Sequence, residues 1–326
     1  MSVSALDKIR TAPTDRLNYR GNLTPVVENI CRAYDLGMLQ GFSVIEVGYE
    51  DCNVLVKAAK GEFIAKMFNK TRTLEEIERN MRIMREVIEV GVQHPPLVLT
   101  NNGDDVFSTL GVTLTLMNFI SGKTFFELNR APNRSERKAI LEQAAKIHQI
   151  NLLPAYTFDS WAIPHIHGMY ERVKRYIDPV DMPLVERAIV KYDAIPIQKL
   201  PRALVHGDFT KANIIKASNG HIYIIDFSET NIYPRIQELA VIVANLLYEP
   251  GDKWSLKDRC DIVASEYGCS NKLTDEELRY LPDYALAGVA MEFMGAHQEK
   301  YVNGVDTPET EYWMQLGRDG LRTAAV

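Results

Sequence analysis

Two short segments of the sequence, LVHGDFTKANII and HIYIIDFSE, carry polar residues whose types and spacing suit phosphate chemistry. Each contains an apolar run that predicts a β-strand and then delivers a carboxylate, Asp208 in the first segment and Asp226 in the second. Asn213 follows Asp208 by five residues, which is enough chain for a loop that turns its amide back beside the carboxylate. Carboxylate and amide oxygens suit an Mg²⁺-nucleotide site in which a hydroxyl group is held next to a phosphoryl group.

A purely structural interpretation of the same residues is open at this point. Asn219 and Gly220 predict a tight hairpin turn, and Asp and Asn are common where strands end. On this interpretation the two carboxylates are turn residues at the ends of a β-hairpin. The order and spacing of the two segments, taken together, favour the chemical interpretation.

The set His206, Asp208, Asn213 and Asp226 closely resembles the catalytic and metal-binding segments of the aminoglycoside phosphotransferase and choline kinase superfamily, the small-molecule relatives of protein kinases. The resemblance implies transfer of the γ-phosphoryl group of ATP to a hydroxyl group of a small molecule, with GTP as an alternative nucleotide. It also implies that Asp208 takes the hydroxyl proton, that Asn213 and Asp226 bind Mg²⁺, and that His206 braces the loop.

The resemblance further implies an α+β, protein kinase-like fold with two lobes. We expect an N-terminal nucleotide-binding lobe at residues 1–120, built from an antiparallel sheet and a helix. We expect a larger, mainly helical lobe for catalysis and substrate binding at residues 121–326, with a hinge near residues 117–122. Apolar spacing predicts helices over residues 24–38, 73–90, 135–150, 234–248, 256–267, 274–300 and 308–321.

Several residues of the N-terminal half match the family's nucleotide site. A lysine on the third strand binds the α- and β-phosphates in this family, and Lys66 in EFIAKMF is the match. An acid on the following helix pairs with that lysine; we assign Glu78, and the family's usual spacing lands nearer Asn80. The loop from Gly48 to Asn53 stands where the family has its phosphate-covering loop, although it holds a single glycine.

The run VFSTLGVTLTLMNFISG resembles the fifth strand and hinge of a kinase. The resemblance implies that the backbone carbonyl of Asn118 and the backbone amide of Ile120 read the adenine edge. Met117 would then lie at the back of the nucleotide pocket. A plain buried strand that runs into a loop is the alternative for this segment.

Composition and charge narrow the classes of protein and partner. The chain has 326 residues, of which 46% are hydrophobic and 25% charged, as in an ordinary globular protein. The net charge of −6 argues against nucleic acid as the main partner, because binding to a phosphate backbone requires a basic surface. No apolar run is long enough for a membrane span, and the four cysteines show no metal-site spacing. We therefore expect a cytoplasmic protein without a membrane partner.

One local feature separates this chain from a regulated protein kinase. Gly207 stands where such kinases have an arginine before the catalytic aspartate, and a helix is predicted about eight residues after Asp226, which leaves no room for an activation segment. A small-molecule kinase is the leading hypothesis. A kinase-like enzyme with a protein substrate and a non-catalytic nucleotide-binding relative are the alternatives.

The acceptor stays open at the level of sequence. Choline-type substrates require an aromatic cage, aminoglycosides require several acids, and homoserine requires an arginine together with an acid. Candidates for each occur, and the layout of HGDF followed by IDFSE looks most like the homoserine kinase-like and choline kinase-like branch. The oligomeric state is also open.

Overall fold

The computed structural model describes residues 12–46, 51–251 and 254–324. These residues form two compact units. The first, which we call the sheet unit, takes residues up to 84 together with 94–121, and the second, the helical unit, takes 85–93 and the residues from 122 onward. The predicted lobes at 1–120 and 121–326, with a hinge near 117–122, stay a prediction.

An antiparallel sheet of six strands within the described residues forms the centre of the sheet unit. Its order is β1-β2-β3-β6-β4, and β5 pairs with β6. Along β2 and β3 alternate side chains are buried, because one face of the sheet packs on a core with helix α1. The elements are α1 (Thr24–Ala33), β1 (Leu39–Val44), β2 (Cys52–Ala58), β3 (Gly61–Met67), α2 (Leu74–Glu89), β4 (Leu97–Val98), β5 (Phe107–Thr109) and β6 (Val112–Asn118).

A hairpin interrupts the run VFSTLGVTLTLMNFISG, which the sequence presents as one segment. Thr109 pairs with Val112, so the turn has two central residues, Leu110 and Gly111, with φ of 49° and 80°. Positive φ at both positions is typical of a tight type I′ hairpin turn. A Cβ atom on Gly111 would lie 2.9 Å from the carbonyl oxygen of Asn18, so glycine is required there.

Helix α8 forms the centre of the helical unit. It is buried along most of its length because it packs against α4, α5, α6, α7 and α9. Helix α6 runs on into a π-helical turn at Ile242–Leu246, and α8 runs on into another at Gln298–Val302. The helices of this unit beyond α2 are α3 (Arg134–Ile147), α4 (Ile166–Val173), α5 (Met182–Asp193), α6 (Ile236–Val241), α7 (Leu256–Gly268), α8 (Asp275–His297) and α9 (Pro308–Thr323).

Two small antiparallel sheets carry the segments that contain the predicted site. Strands β10, β9 and β7 form one sheet in that order, and β8 pairs with β11 in the other. The Asn219-Gly220 turn does join a hairpin, but that hairpin is β9–β10, whereas Asp208 follows β8. The two carboxylates therefore are not the ends of one hairpin. The strands are β7 (Gly122–Thr124), β8 (Arg202–Val205), β9 (Ile214–Ala217), β10 (Ile222–Ile224) and β11 (Asn231–Pro234).

None of the helices in the described part of the chain is both long and apolar enough to cross a membrane.

A buried carboxylate joins the start of α3 to β9. Asn133 caps α3, and its backbone N–H donates to Glu136 at 2.8 Å. Glu136 also forms ion pairs with Arg130, at 2.7 Å, and with Lys216. These contacts, that with Arg130 above all, lower the pKa of Glu136 to about 2.

Replacing Glu136 with glutamine is expected to lower the free energy of unfolding by about 2 kcal/mol near neutral pH, because a buried charge shared by two cations is lost. The folded-state pKa lies below the ordinary value of 4.5, so this stabilisation is complete above that pH and is lost as the pH falls toward about 2. Urea unfolding of both proteins between about pH 7 and pH 3 should show the difference shrink.

Glu142 on the same helix provides the control. Its side chain is exposed and lies 3.9 Å from Lys138, so Glu142→Gln should change the free energy of unfolding by less than about 0.5 kcal/mol. Equal losses of unfolding free energy in the two variants would contradict the stabilising role of Glu136. A loss in Glu136→Gln that does not vary with pH would also contradict it.

Candidate functional site

The loop after β8 is fixed by the ring of His206. Its Nε2–H donates to the carbonyl of Ile225 at 3.0 Å, and its Nδ1 accepts the backbone N–H of Asp208 at 3.1 Å. These bonds assign a neutral imidazole with its proton on Nε2. The chain then turns at Gly207, where φ is 91° and a Cβ atom would lie 2.8 Å from the carbonyl oxygen of Glu229. The residue before Asp208 must therefore be glycine.

Asn213 lies directly beside Asp208. Its Nδ2 donates to Asp208 Oδ2 at 2.5 Å and to the Asp208 carbonyl at 3.2 Å. The backbone carbonyl of Asn213 accepts the N–H of Ile225 at 3.0 Å, which brings the end of β10 next to this loop. Within the described residues, Oδ1 of Asn213 receives no hydrogen bond. The amide is thus oriented by its nitrogen, and its oxygen is left for a ligand.

Asp226 follows directly and is exposed. Its φ of 65° lies in the left-handed region, which aspartate tolerates better than most residues. The hydroxyl of Ser228 donates to Asp226 Oδ1 at 2.9 Å. A non-glycine residue held in this conformation is typical of a functional site.

Negative charge concentrates around Asp208. The pKa of Asp208 is raised to about 8, first by burial and then by the nearby carboxylates of Asp226, Glu292 and Asp159. Thr210 acts in the opposite direction through a hydrogen bond. A bound cation, whether a metal ion or a charged substrate, would relieve this repulsion.

A fully buried carboxylate secures the start of the loop. Glu238 of α6 accepts the backbone N–H of His206 through Oε2 at 2.5 Å, and the hydroxyl of Thr230 donates to the carbonyl of His206 at 3.3 Å. His148 Nε2 lies 3.9 Å from the same carboxylate oxygen. The sequence places Glu238 at the start of the helix after Asp226, but this contact with the loop was not predicted.

The middle of the loop is tied to the helices by Lys211, which is completely buried. Its Nζ donates to the carbonyl of Tyr248 at 2.6 Å and to the hydroxyl of Tyr312 at 3.0 Å. Its backbone N–H donates to Asn245, whose Nδ2 donates to Glu292 Oε1 at 2.8 Å. Local spacing did not predict the contacts of Lys211, because its partners lie 34 to 101 positions further along the chain.

Aromatic residues of the C-terminal helices serve in packing. Tyr312 and Trp313 pack around Phe126. Tyr284 and Phe293 lie in the core.

Lys66, the predicted phosphate-binding lysine, lies on β3 of the sheet unit. Asn53 is its register partner across β2 and β3, and Lys66 Nζ lies 3.5 Å from a carboxylate oxygen of Asp51. Glu78 is exposed on α2, and Asn80 is buried and accepts a hydrogen bond from Arg79. Residues 48–50 of the predicted phosphate-covering loop lie outside the described residues.

The predicted adenine-reading groups lie at the end of β6. The N–H of Asn118 donates to the carbonyl of Pro96 at 2.9 Å. Because proline has no N–H, Pro96 returns no bond to the Asn118 carbonyl. The N–H of Ile120 makes no hydrogen bond within the described residues. Met117 is buried and precedes these two groups on the strand.

The chain is similar in sequence to phosphotransferases and small-molecule kinases. A profile of the phosphotransferase enzyme family matches residues 41–260. A homoserine kinase of Rhodopseudomonas palustris (strain BisB18) is 25% identical over 268 residues, which cover 81% of this chain and 80% of that protein.

Two solved structures share the fold. Spectinomycin phosphotransferase in complex with ADP and spectinomycin has a TM-score of 0.68 and 14% identity, over 93% of this chain and 97% of that one. Amicoumacin kinase in complex with AMP-PNP and Ca²⁺ has a TM-score of 0.65 and 15% identity, over 92% and 93%. These likenesses confirm the predicted α+β, kinase-like fold class. The chain belongs to the phosphotransferase enzyme family, and it is a small-molecule kinase that transfers a phosphoryl group from ATP to a hydroxyl group.

Proposed function

We propose that Asp208 is the base of this reaction and that the acceptor is a small alcohol that carries a positively charged amine. The observation that supports the first part is the pair formed by Asp208 and Asn213 at 2.5 Å, on a loop fixed by His206 and Glu238. Such a rigid carboxylate suits a reaction in which the protein contributes mainly alignment.

In the proposed step the acceptor hydroxyl gives its proton to Asp208, and its oxygen bonds to the γ-phosphorus of ATP. The bond from the γ-phosphorus to the bridging oxygen breaks, and ADP leaves with that electron pair. Asn213 holds one oxygen of Asp208, which fixes the direction of the other toward the acceptor. His206 acts on the loop and not on the substrate, because both of its ring nitrogens are occupied.

Asn213 and Asp226 fit a magnesium ion. Both offer oxygen ligands, and the nitrogen of Asn213 is turned toward Asp208, so its oxygen is free for a metal. Mg²⁺ bound there with the nucleotide would neutralise charge on the phosphates. A related kinase binds AMP-PNP with Ca²⁺, which supports divalent metal use in this fold.

We assign the nucleotide contacts to the sheet unit. Lys66 would bind the α- and β-phosphates, and Asn53 beside it would bind the phosphate chain. The carbonyl of Asn118 would accept the adenine amino group, and the amide of Ile120 would donate to the ring, with Met117 behind them. An acceptor followed by a donor matches adenine better than guanine, so we favour ATP over GTP. Because ATP is the donor, we place the reaction in the cytoplasm.

The carboxylates near Asp208 support a cationic acceptor. Glu292 lies on α8 and Asp159 in the irregular segment between α3 and α4, and both add to the effect of burial in raising the pKa of Asp208. Glu292 Oε1 is held by Asn245 at 2.8 Å, and Oε2 makes no hydrogen bond within the described residues. An ammonium group bound by Oε2 would place a neighbouring hydroxyl near Asp208. Since the relative from Rhodopseudomonas palustris is a homoserine kinase, homoserine is the first acceptor to test.

We predict that Asp208→Asn lowers kcat by about 10²-fold to 10⁴-fold, because the base is lost while size and shape are kept. The affinity for Mg²⁺-ATP, measured by calorimetry, should stay within about twofold of wild type. Asp226→Asn should lower kcat and, unlike Asp208→Asn, should also weaken the affinity for Mg²⁺-ATP, since a metal ligand loses its charge. Wild-type turnover in both variants would refute the site assignment.

We predict that Glu292→Gln raises KM for amine-bearing alcohols by roughly 10-fold or more, because a hydrogen bond to a charged group is weakened. ADP release should be measured with homoserine, choline, ethanolamine, simple sugars and an aminoglycoside. The matched control is Glu299→Gln, which removes a carboxylate that accepts from Asn303 at 2.9 Å in the π-helical turn after α8. Equal effects of the two substitutions, or stimulation by uncharged sugars alone, would contradict a cationic acceptor.

A further inference from the structure

Asp51, at the start of β2, is a buried carboxylate that the reaction described above does not use. Its side chain is 3% exposed. Oδ1 accepts the Nε–H of Arg72 at 3.0 Å and the backbone N–H of Asn69 at 2.9 Å. Arg16 donates to the Asp51 carbonyl at 2.8 Å. The backbone and one carboxylate oxygen of Asp51 are therefore anchored to neighbouring segments of the sheet unit.

The second carboxylate oxygen of Asp51 faces Lys66. Oδ2 lies 3.5 Å from Lys66 Nζ, and the lysine side chain is 15% exposed. At this separation the contact is an ion pair and is too long for a strong hydrogen bond. Coulomb attraction between poorly solvated charges is much stronger than at the surface. Asp51 therefore restricts the position of the ammonium group without requiring one of its N–H groups as a donor.

Glu78, the acid that the sequence suggested for this task, has a different environment. It is exposed on α2, so water screens its charge. Asp51 is buried, is held in one orientation by Arg72 and Asn69, and directly precedes β2, the strand next to β3. A fixed, desolvated carboxylate is the better group for positioning a lysine.

We propose that Asp51 positions Lys66 to receive the phosphates of the nucleotide, with Arg72 holding Asp51 in place. This inference rests on the proposed role of Lys66 as a phosphate ligand. The phosphate site thus has two layers, a lysine that touches the nucleotide and an anchored aspartate behind it. Asp51 is a positioning residue, since its carboxylate acts through Lys66.

A double-mutant cycle tests the proposal. Dissociation constants for Mg²⁺-ATP and for adenosine are measured on the full chain for wild type, Lys66→Met, Asp51→Asn and the double variant. Asp51→Asn should weaken the binding of Mg²⁺-ATP by about 10-fold. It should leave the binding of adenosine unchanged, because adenosine carries no phosphate. When Lys66→Met is already present, adding Asp51→Asn should not weaken the binding of Mg²⁺-ATP any further.

Glu62→Gln is the matched control. It removes a carboxylate that lies 2.8 Å from Lys57 across the same two strands, in a pair that is exposed. Its dissociation constants should equal those of wild type. If Asp51→Asn does not fold, Arg72→Gln is used instead, because it removes the side chain that holds Asp51 while the carboxylate remains. This variant should weaken the binding of Mg²⁺-ATP but not that of adenosine. The effect should be seen only when Lys66 is present.

The possible failures are distinct. Unchanged Mg²⁺-ATP affinity in Lys66→Met would reject the proposed role of the lysine. If Lys66→Met weakens Mg²⁺-ATP binding and Asp51→Asn does not, the role of Asp51 is overturned and the role of Lys66 stands. Additive losses in the double variant would show that Asp51 acts on the fold and not through Lys66. If Glu78→Gln weakens Mg²⁺-ATP binding and Asp51→Asn does not, Glu78 and not Asp51 positions Lys66.

Discussion

The hydrogen bond from the backbone N–H of His206 to Glu238 is the contact on which the site depends. Both partners are fully buried. A buried polar group is costly unless it has a hydrogen-bond partner. Here the donor is the first residue of the loop that carries Asp208, and the acceptor is Oε2 of Glu238. This bond fixes where the loop begins, and the ring of His206 holds Asp208 and Ile225 through its two nitrogens.

The site combines rigidity with unbalanced charge. Burial raises the pKa of Asp208, and repulsion by Asp226, Glu292 and Asp159 adds to that rise. Ligands that bring positive charge relieve this repulsion, so their binding should stabilise the protein by an amount that rises with the logarithm of their concentration above Kd. In the sheet unit, the buried carboxylate of Asp51 contacts the cationic side chains of Lys66 and Arg72. In both units, charges are fixed by the fold before the substrates arrive.

Most of the elements could be predicted from the sequence, and the misses have physical causes. Apolar periodicity located α1, α2, α3, α6, α7, α8 and α9 to within a few residues, but it did not predict α4 or α5. It did not locate the turn at Leu110 and Gly111, since the residues around it are as β-prone as a continuous strand. It also did not separate the π-helical turn at Ile242–Leu246 from an ordinary helix, since both bury the same residues. That turn places Asn245 between Lys211 and Glu292.

By itself the sequence determined the contacts that span a few residues and the family to which the chain belongs. Asp208 and Asn213 are five residues apart, so their hydrogen bond follows from one short loop whose residue types can be read directly. Only the tertiary structure decided which charges surround that loop. Glu292 lies on a helix, 84 positions further along the chain than Asp208, and Asp51, which contacts Lys66, directly precedes the neighbouring strand. Nothing in local spacing encodes such pairs, because they depend on how separate elements pack.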